Sequence, residues 1–271
     1  MSHKSGFQLK RGGPELYEAC WVVAQMGQCA VDLVAAAGVG PSETVLDVGC
    51  GTGVAAREAA RQSGNDTLVT GADVNGPMLL AAQGFATDAG LHGIRWVECD
   101  AADMPFDDGV FDVVLCQQGI QFMPDKTAAL VEMARVLKPG GRLAASVWKS
   151  VSPLGKAFSC VLDRHFGEGT TEPWQAVYSL GDREQVRTLA EGAGFEDIYI
   201  EFDVKFVRHR DPTAFVAGAI AGSPLADAVA NMAEADRDRL VKEIIVEVGE
   251  NRDDGGLAVP AGCHTLTARI P

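Results

Sequence analysis

Val45-Leu46-Asp47-Val48-Gly49-Cys50-Gly51-Thr52-Gly53 is the stretch that decides how this chain is read. An apolar run closing on a glycine-rich turn reads as a buried strand whose carboxyl end bends directly into a helix. Gly49, Gly51 and Gly53 have access to backbone conformations closed to other residues, and they let a ligand lie on the main chain. Strand, glycine turn and helix form the unit with which doubly wound α/β sheets hold nucleotide-like ligands at their carboxyl edge. The spacing G-x-G-x-G departs from the dinucleotide pattern, because Val54 stands where a third glycine or alanine would fall. Asp47 adds a negative charge beside the pocket. That suits a ligand with a cationic end better than a pyrophosphate.

Working outward, apolar strands and amphipathic helices alternate. Residues 14–38 predict a helix opened by Pro14, and 54–61 an alanine-rich one. Strands are expected at 67–72, 94–99, 110–116 and 142–147, with helices at 78–89 and 127–137 between them. Lys138-Pro139-Gly140-Gly141 reads as a sharp turn without chemistry of its own. This rhythm argues for a parallel, right-handed doubly wound sheet. Past Trp148 it loosens. A helix at 182–193, a strand at 195–202, a helical stretch at 211–250 broken at Gly222-Ser223-Pro224, and a last strand at 264–270 are expected.

The order D-x-G-x-G-x-G at 47–53 resembles the first motif of class I S-adenosylmethionine-dependent methyltransferases. In particular it resembles their small-molecule branch, which includes the ubiquinone and menaquinone biosynthetic enzymes and many natural-product methyltransferases. The resemblance is close over 42–147 and holds in outline beyond. It implies an α/β, Rossmann-like, seven-stranded sheet with the last strand antiparallel and a helical lid. The expected division is 1–41 as an N-terminal helical cap and 42–148 as the S-adenosylmethionine-binding core. Residues 149–271 then complete the sheet, with lid insertions at 149–178 and 203–262.

In such a sheet the strand ends line one crevice. Asp73 ends the second strand, twenty residues past Gly53, where a carboxylate can accept hydrogen bonds from two ribose hydroxyls. Val74 follows it and can lie against an adenine face, and Met78 can touch the same ring. The resemblance further implies that Asp100 and Ala101 meet the adenine edge and that Gln117 lies at the cofactor's methionine end. It also implies that Tyr17, on the leading helix, closes near the sulfur. Asp47, Gly49, Cys50, Gly51 and Gly53 would wrap the methionine part, and Phe122 would border the cofactor.

No catalytic residue is encoded in a motif. His264 is the candidate general base, because it starts the last strand and is expected to face the crevice. Methyl transfer by in-line displacement needs alignment and exclusion of water more than a base. Trp148, Phe158, Phe166, Trp174, Phe206 and Phe215 supply apolar surface in the lid, compatible with a hydrophobic or aromatic small metabolite as methyl acceptor.

Bulk properties bound the alternatives. The chain has 271 residues, 47% of them hydrophobic, with 23 basic and 37 acidic residues and a formal net charge of −14. That balance argues against a nucleic-acid substrate or a membrane surface. Residues 1–13 lack the apolar core of a signal peptide, and no stretch is expected to span a membrane. The seven cysteines are scattered, with no C-x-x-C pair or Cys/His cluster, so no disulfide framework and no metal site are expected and a cytoplasmic, reduced location is. The apolar 211–250 stretch leaves a homo-oligomer open. Two rival functions remain at this stage: a nicotinamide-dependent oxidoreductase, and a non-catalytic S-adenosylmethionine-binding partner protein.

Overall fold

The computed structural model describes residues 13–221, 226–253 and 255–271. The reading of residues 1–12, the break at Gly222-Ser223-Pro224 and the side chain of Trp174 lie outside the described residues. Strand β1, Val45–Val48, is buried on both faces, so its sequence runs apolar without alternation. It pairs in parallel with β2, Val69–Asp73, and with β4, Phe111–Gln117. β3, Arg95–Glu98, adds to β2, and β5, Leu137–Trp148, adds to β4, also in parallel. β6, Glu196–His209, forms the far edge. A two-residue β7, Arg252–Asp253, pairs with β8, Gly256–Arg269, and β8 runs antiparallel between β5 and β6. The order is β3-β2-β1-β4-β5-β8-β6. This is the expected mixed seven-stranded sheet with its last strand antiparallel.

The strands split their side chains between two layers. Leu46, Val48, Val114 and Cys116 face a core shared with Leu130 and Met133 of α4, Lys126–Val136, and Val186 and Ala190 of α6, Arg183–Gly192. Val45, Val113 and Leu115 face the opposite core, with Leu33 and Val34 of α1, Gly13–Ala37, and Ala56, Ala59 and Ala60 of α2, Val54–Ser63. Side chains alternate with period two along a strand, so Asp47 shares the α1/α2 side with Val45. α3, Gly76–Asp88, is capped by Asn75, whose side chain accepts from the Met78 N–H.

Helix α1 is a single run in which Glu18–Met26 winds in wider π turns, and it stops at Gly38 in the left-handed region. Among the described residues, α1 is long and apolar enough to cross a membrane by length and composition. The apolar residues are spread around scattered polar ones, so they form no unbroken run. In the fold they serve packing: 44% of the most apolar window is buried.

A third cluster belongs to the lid. α5, Pro153–Phe166, α7, Pro212–Ala221, and α9, Glu234–Val248, bury Phe158, Leu162, Phe215, Ile220, Leu240 and Ile244 together, with Cys20 and Ala24 of α1 joining them. A short α8, Ala226–Ala230, lies between α7 and α9. Of the lid aromatics, Phe158 and Phe215 are core, Phe166 packs on it and Phe206 is 41% exposed. Strands β6 and β8 extend further than expected, to His209 and from Gly256, so both flanks of the 203–262 segment are strand. β6 is largely exposed along its length, and the alternation of Ile198, Ile200, Phe202, Val204 and Phe206 with more polar residues runs on past the expected end at 202.

Candidate functional site

A cavity of about 390 Å³ opens at the carboxyl ends of β1, β2 and β4, beneath α1 and the lid. Its size lies within the range of small-molecule sites. The floor is the glycine turn. Gly49 and Gly51 have φ of 67° and 54°, and an added Cβ at Gly49 would stand 3.6 Å from the Gly119 Cα. The bare backbone is what leaves room above it.

Asp47 is 1% exposed and lines the cavity. Its Oδ2 accepts the Ala56 N–H at 2.9 Å, while Oδ1 has no partner. Burial pushes its carboxyl up to about 7, against the pull of that hydrogen bond. A buried carboxylate oxygen without a partner, on a residue that lines the cavity, is a place for a cationic group. Asp73 is engaged differently. Its Oδ2 accepts from Gly51 N and its Oδ1 from Asn75 N, each at 2.8 Å, and burial raises its carboxyl as well. With backbone N–H groups on both oxygens, the carboxylate keeps lone-pair capacity for a hydroxyl donor.

Twelve of the thirteen expected cofactor residues border this one cavity. Tyr17, Asp47, Gly49, Cys50, Gly51 and Asp73 do so together with Val74, Met78, Asp100, Ala101, Gln117 and Phe122. Gly53 does not. Its φ is 78° as it caps α2, and an added Cβ would lie 2.4 Å from the Trp96 ring. Gly53 is required by that close approach and turns away from the cavity.

His264 does not border the cavity either. On β8, Ala261 lines the cavity and Cys263 joins the cluster beneath α1, so the intervening period of two sends His264 to the opposite face. There its ring meets Phe202 edge-on at 5.8 Å and bonds the Gly181 backbone, with Nδ1 buried and unpartnered. The candidate base of the sequence reading is on the wrong side of the sheet.

Further polar residues border the same cavity, and of these Gln25, Thr52 and Tyr178 were missed. Gln25 is 4% exposed on the π-wound part of α1, borders the cavity and has no partner for Nε2. Thr52 Oγ1 and Gln117 Oε1 are likewise buried and open, while Gln117 Nε2 donates to the Met26 carbonyl at 2.9 Å. Gln118 borders the cavity with φ of 51°, unusual for a residue with a side chain. Tyr178 lines the lid end, with its phenol bonded by Ser152 and raised by burial. Tyr17, Trp21 and Gln25, spaced four apart on α1, share a face over the cavity with Met26 beside them.

The cysteines at the crevice are not nucleophiles. Burial drives Cys50 well up and Cys99 to about 11, so both remain thiols. No cluster of metal-ligating side chains occurs among the described residues. A buried, unpartnered carboxylate oxygen beside a glycine cradle, with a second acid one strand away, fits a ligand carrying an ammonium or sulfonium at one end and ribose hydroxyls beyond it. S-adenosylmethionine has that order of groups.

The comparisons agree. Residues 46–145 match the family described as a methyltransferase domain. The chain is 34% identical over 176 residues to the ubiquinone/menaquinone biosynthesis C-methyltransferase of Paraburkholderia xenovorans, covering 61% of this chain and 72% of that one. The corresponding protein of Cupriavidus taiwanensis is 37% identical over 168 residues, and there the match spans 58% of this chain but only 63% of the relative's length. Among solved structures, Haemonchus contortus phosphoethanolamine N-methyltransferase 2 superposes with a TM-score of 0.62 at 22% identity, over 96% of this chain and 57% of that one. The [4+2]-cyclase SpnF superposes with a TM-score of 0.57 at 27% identity, over 98% and 86%.

Proposed function

This chain belongs to the class I S-adenosylmethionine-dependent methyltransferases, and on that premise we propose that it methylates a small, hydrophobic or aromatic metabolite by in-line displacement. The observation that carries the reading is the buried, unpartnered Oδ1 of Asp47, on a residue that lines one cavity together with the glycine turn, Asp73 and Asp100. When bound, S-adenosylmethionine supplies a methyl group on a sulfonium that is already its own leaving group.

The chain's part is then to bind, orient and dry the site. Asp47 Oδ1 and Gln117 Oε1 accept from the ammonium end, and Gln25 Nε2 and Thr52 Oγ1 stand free to donate. Asp73 takes the ribose hydroxyls, while Val74 and Met78 lie along the adenine and Asp100 and Ala101 at its edge. Tyr17 and Trp21 roof the reacting centre and keep water out. The acceptor enters between Trp148, Leu154, Phe158 and Val207, all of which border the cavity. Holding donor and acceptor in line contributes roughly 7–11 kcal/mol. No general base is needed for an acceptor that is already nucleophilic, which is consistent with His264 facing away.

The uncharged, aromatic lid end and the net charge of −14 support a neutral small molecule over a nucleic acid. The relatives named for quinone biosynthesis point the same way. The seven cysteines, all free, support a reducing, cytoplasmic location. A second reading has one observation behind it: the neighbour at 27% identity is named for a cyclisation, so this fold also carries other chemistry.

Incubation with S-adenosylmethionine and a panel of neutral phenols, hydroquinones and enols tests the proposal. S-adenosylhomocysteine formed with at least one of them supports it. Tight cofactor binding with no turnover across the panel favours the second reading.

A further inference from the structure

Arg57 stands on α2, one turn past the glycine turn, and does not border the cavity. Its side chain is only 7% exposed and is shared between two elements. Nη1 donates to the Thr52 carbonyl at 2.5 Å, and Nη2 pairs with the Glu18 carboxylate. Thr52 belongs to the glycine turn. Glu18 opens the π-wound part of α1, directly after Tyr17. A planar guanidinium fork is suited to hold two acceptors at a fixed separation, which a lysine is not. The ring of Phe85 from α3 lies 5.6 Å below it and limits its movement.

The same part of α1 is tied to the lid on its other flank. Trp21 meets Phe215 of α7 edge-on at 5.1 Å. Gly218 of α7 approaches so closely that an added Cβ would lie 2.2 Å from Cys20 Sγ. Residues 13–26 are therefore held between the lid and the glycine turn, with Arg57 as the bridge to the turn.

We infer that Arg57 is a positioning residue. By holding the Thr52 carbonyl and the Glu18 carboxylate together, it couples occupancy of the glycine turn to the seating of Tyr17 and Trp21 over the ligand. A ligand that orders the turn fixes the Thr52 carbonyl, the carbonyl fixes the guanidinium, and the guanidinium fixes Glu18. The inference rests on the reading above that the glycine turn receives S-adenosylmethionine or its product.

Amide hydrogen exchange of the full chain tests it, with and without saturating S-adenosylhomocysteine, in wild type, Arg57→Met and Glu18→Gln. In wild type the ligand slows exchange at 49–56 and also at 13–26. In both variants slowing at 49–56 persists, and the ligand-induced slowing at 13–26 falls by at least about threefold. A purely structural pair would instead speed 13–26 equally with and without ligand, and that result overturns the coupling. So does undiminished ligand-induced slowing of 13–26 in Glu18→Gln, which leaves Arg57 in place should Arg57→Met fail to fold. If the ligand leaves 49–56 unchanged in wild type, the cofactor reading itself is wrong and the inference falls with it.

Discussion

Asp73 Oδ2 accepts the backbone N–H of Gly51 at 2.8 Å, so the acid that ends β2 holds the glycine turn that ends β1. Its other oxygen takes the Asn75 N–H, so one carboxylate organises two loops and still has lone pairs for a ligand. Asp73→Ala leaves both N–H groups without this partner and costs about 2–4 kcal/mol by denaturant unfolding. It also weakens S-adenosylhomocysteine binding at least about tenfold by calorimetry, because charged hydrogen bonds to the ligand are lost as well. Wild-type affinity in Asp73→Ala contradicts this assignment.

Asp47 makes the free protein's stability depend on pH in an unusual direction. Its carboxyl is pushed up to about 7 by burial. The folded state thus holds this proton more tightly than the unfolded chain, where an aspartate titrates near ~3.9. The stability it contributes is full below that value and is lost as pH rises through about 7. Asp73, raised by the same cause, adds to the trend. Ligand-free wild type should therefore melt lower at about pH 8 than at about pH 5.5, and Asp47→Asn should remove much of the difference. Affinity for a cationic ligand rises over the same interval, since the ligand favours the ionised form. Equal pH dependence of melting in wild type and Asp47→Asn contradicts the assignment.

Gly53→Ala tests a structural claim apart from binding. The substitution forces a side chain to φ of 78° and into the Trp96 ring. A loss of more than about 2 kcal/mol in unfolding free energy is expected, from left-handed strain and overpacking together. Gly64→Ala, also at positive φ but with open space around it, should cost less. Equal costs at the two positions would show that the Trp96 contact does not matter.

His264→Gln should bind S-adenosylhomocysteine and transfer methyl within about threefold of wild type, because positioned general bases contribute far more than that. Burial holds the His264 pKa below its usual value. Its contribution to stability is therefore present above the unfolded value near ~6.5 and is lost as pH falls through the depressed folded pKa. The variant should flatten the acid limb of the stability profile while leaving the activity profile alone. A shifted activity profile would return His264 to the site.

The centre of the sheet was legible because β1, β2 and β4 are largely buried apolar runs that close on a glycine, an acid or an amide, at Gly49, Asp73 and Gln117. Those signals are local: an apolar run, a turn residue and a charge at a known spacing. Gly53 was placed correctly in the motif but wrongly in role, since its contact with Trp96 joins residues 43 positions apart. His264 was misplaced by the parity of a long strand, where a shift of one residue changes the face. The full length of β6 and β8 was missed although alternation continues past the expected ends, at Val204 and Phe206 and at Leu257, Val259 and Ala261. Gln25 and Glu18 come from α1, Arg57 from α2 and Tyr178 from the lid, and their meeting around the cavity depends on tertiary packing that no short pattern encodes.

The most direct measurement is a calorimetric titration of the protein with S-adenosylhomocysteine beside NAD, repeated with Asp47→Asn and followed by thermal unfolding. Saturable binding of S-adenosylhomocysteine alone is expected, weakened in Asp47→Asn. At 100 times the dissociation constant the ligand stabilises by about 2.7 kcal/mol, or roughly 5–10 °C in a chain of this size. No binding, or binding of NAD in its place, would contradict the assignment of the cavity.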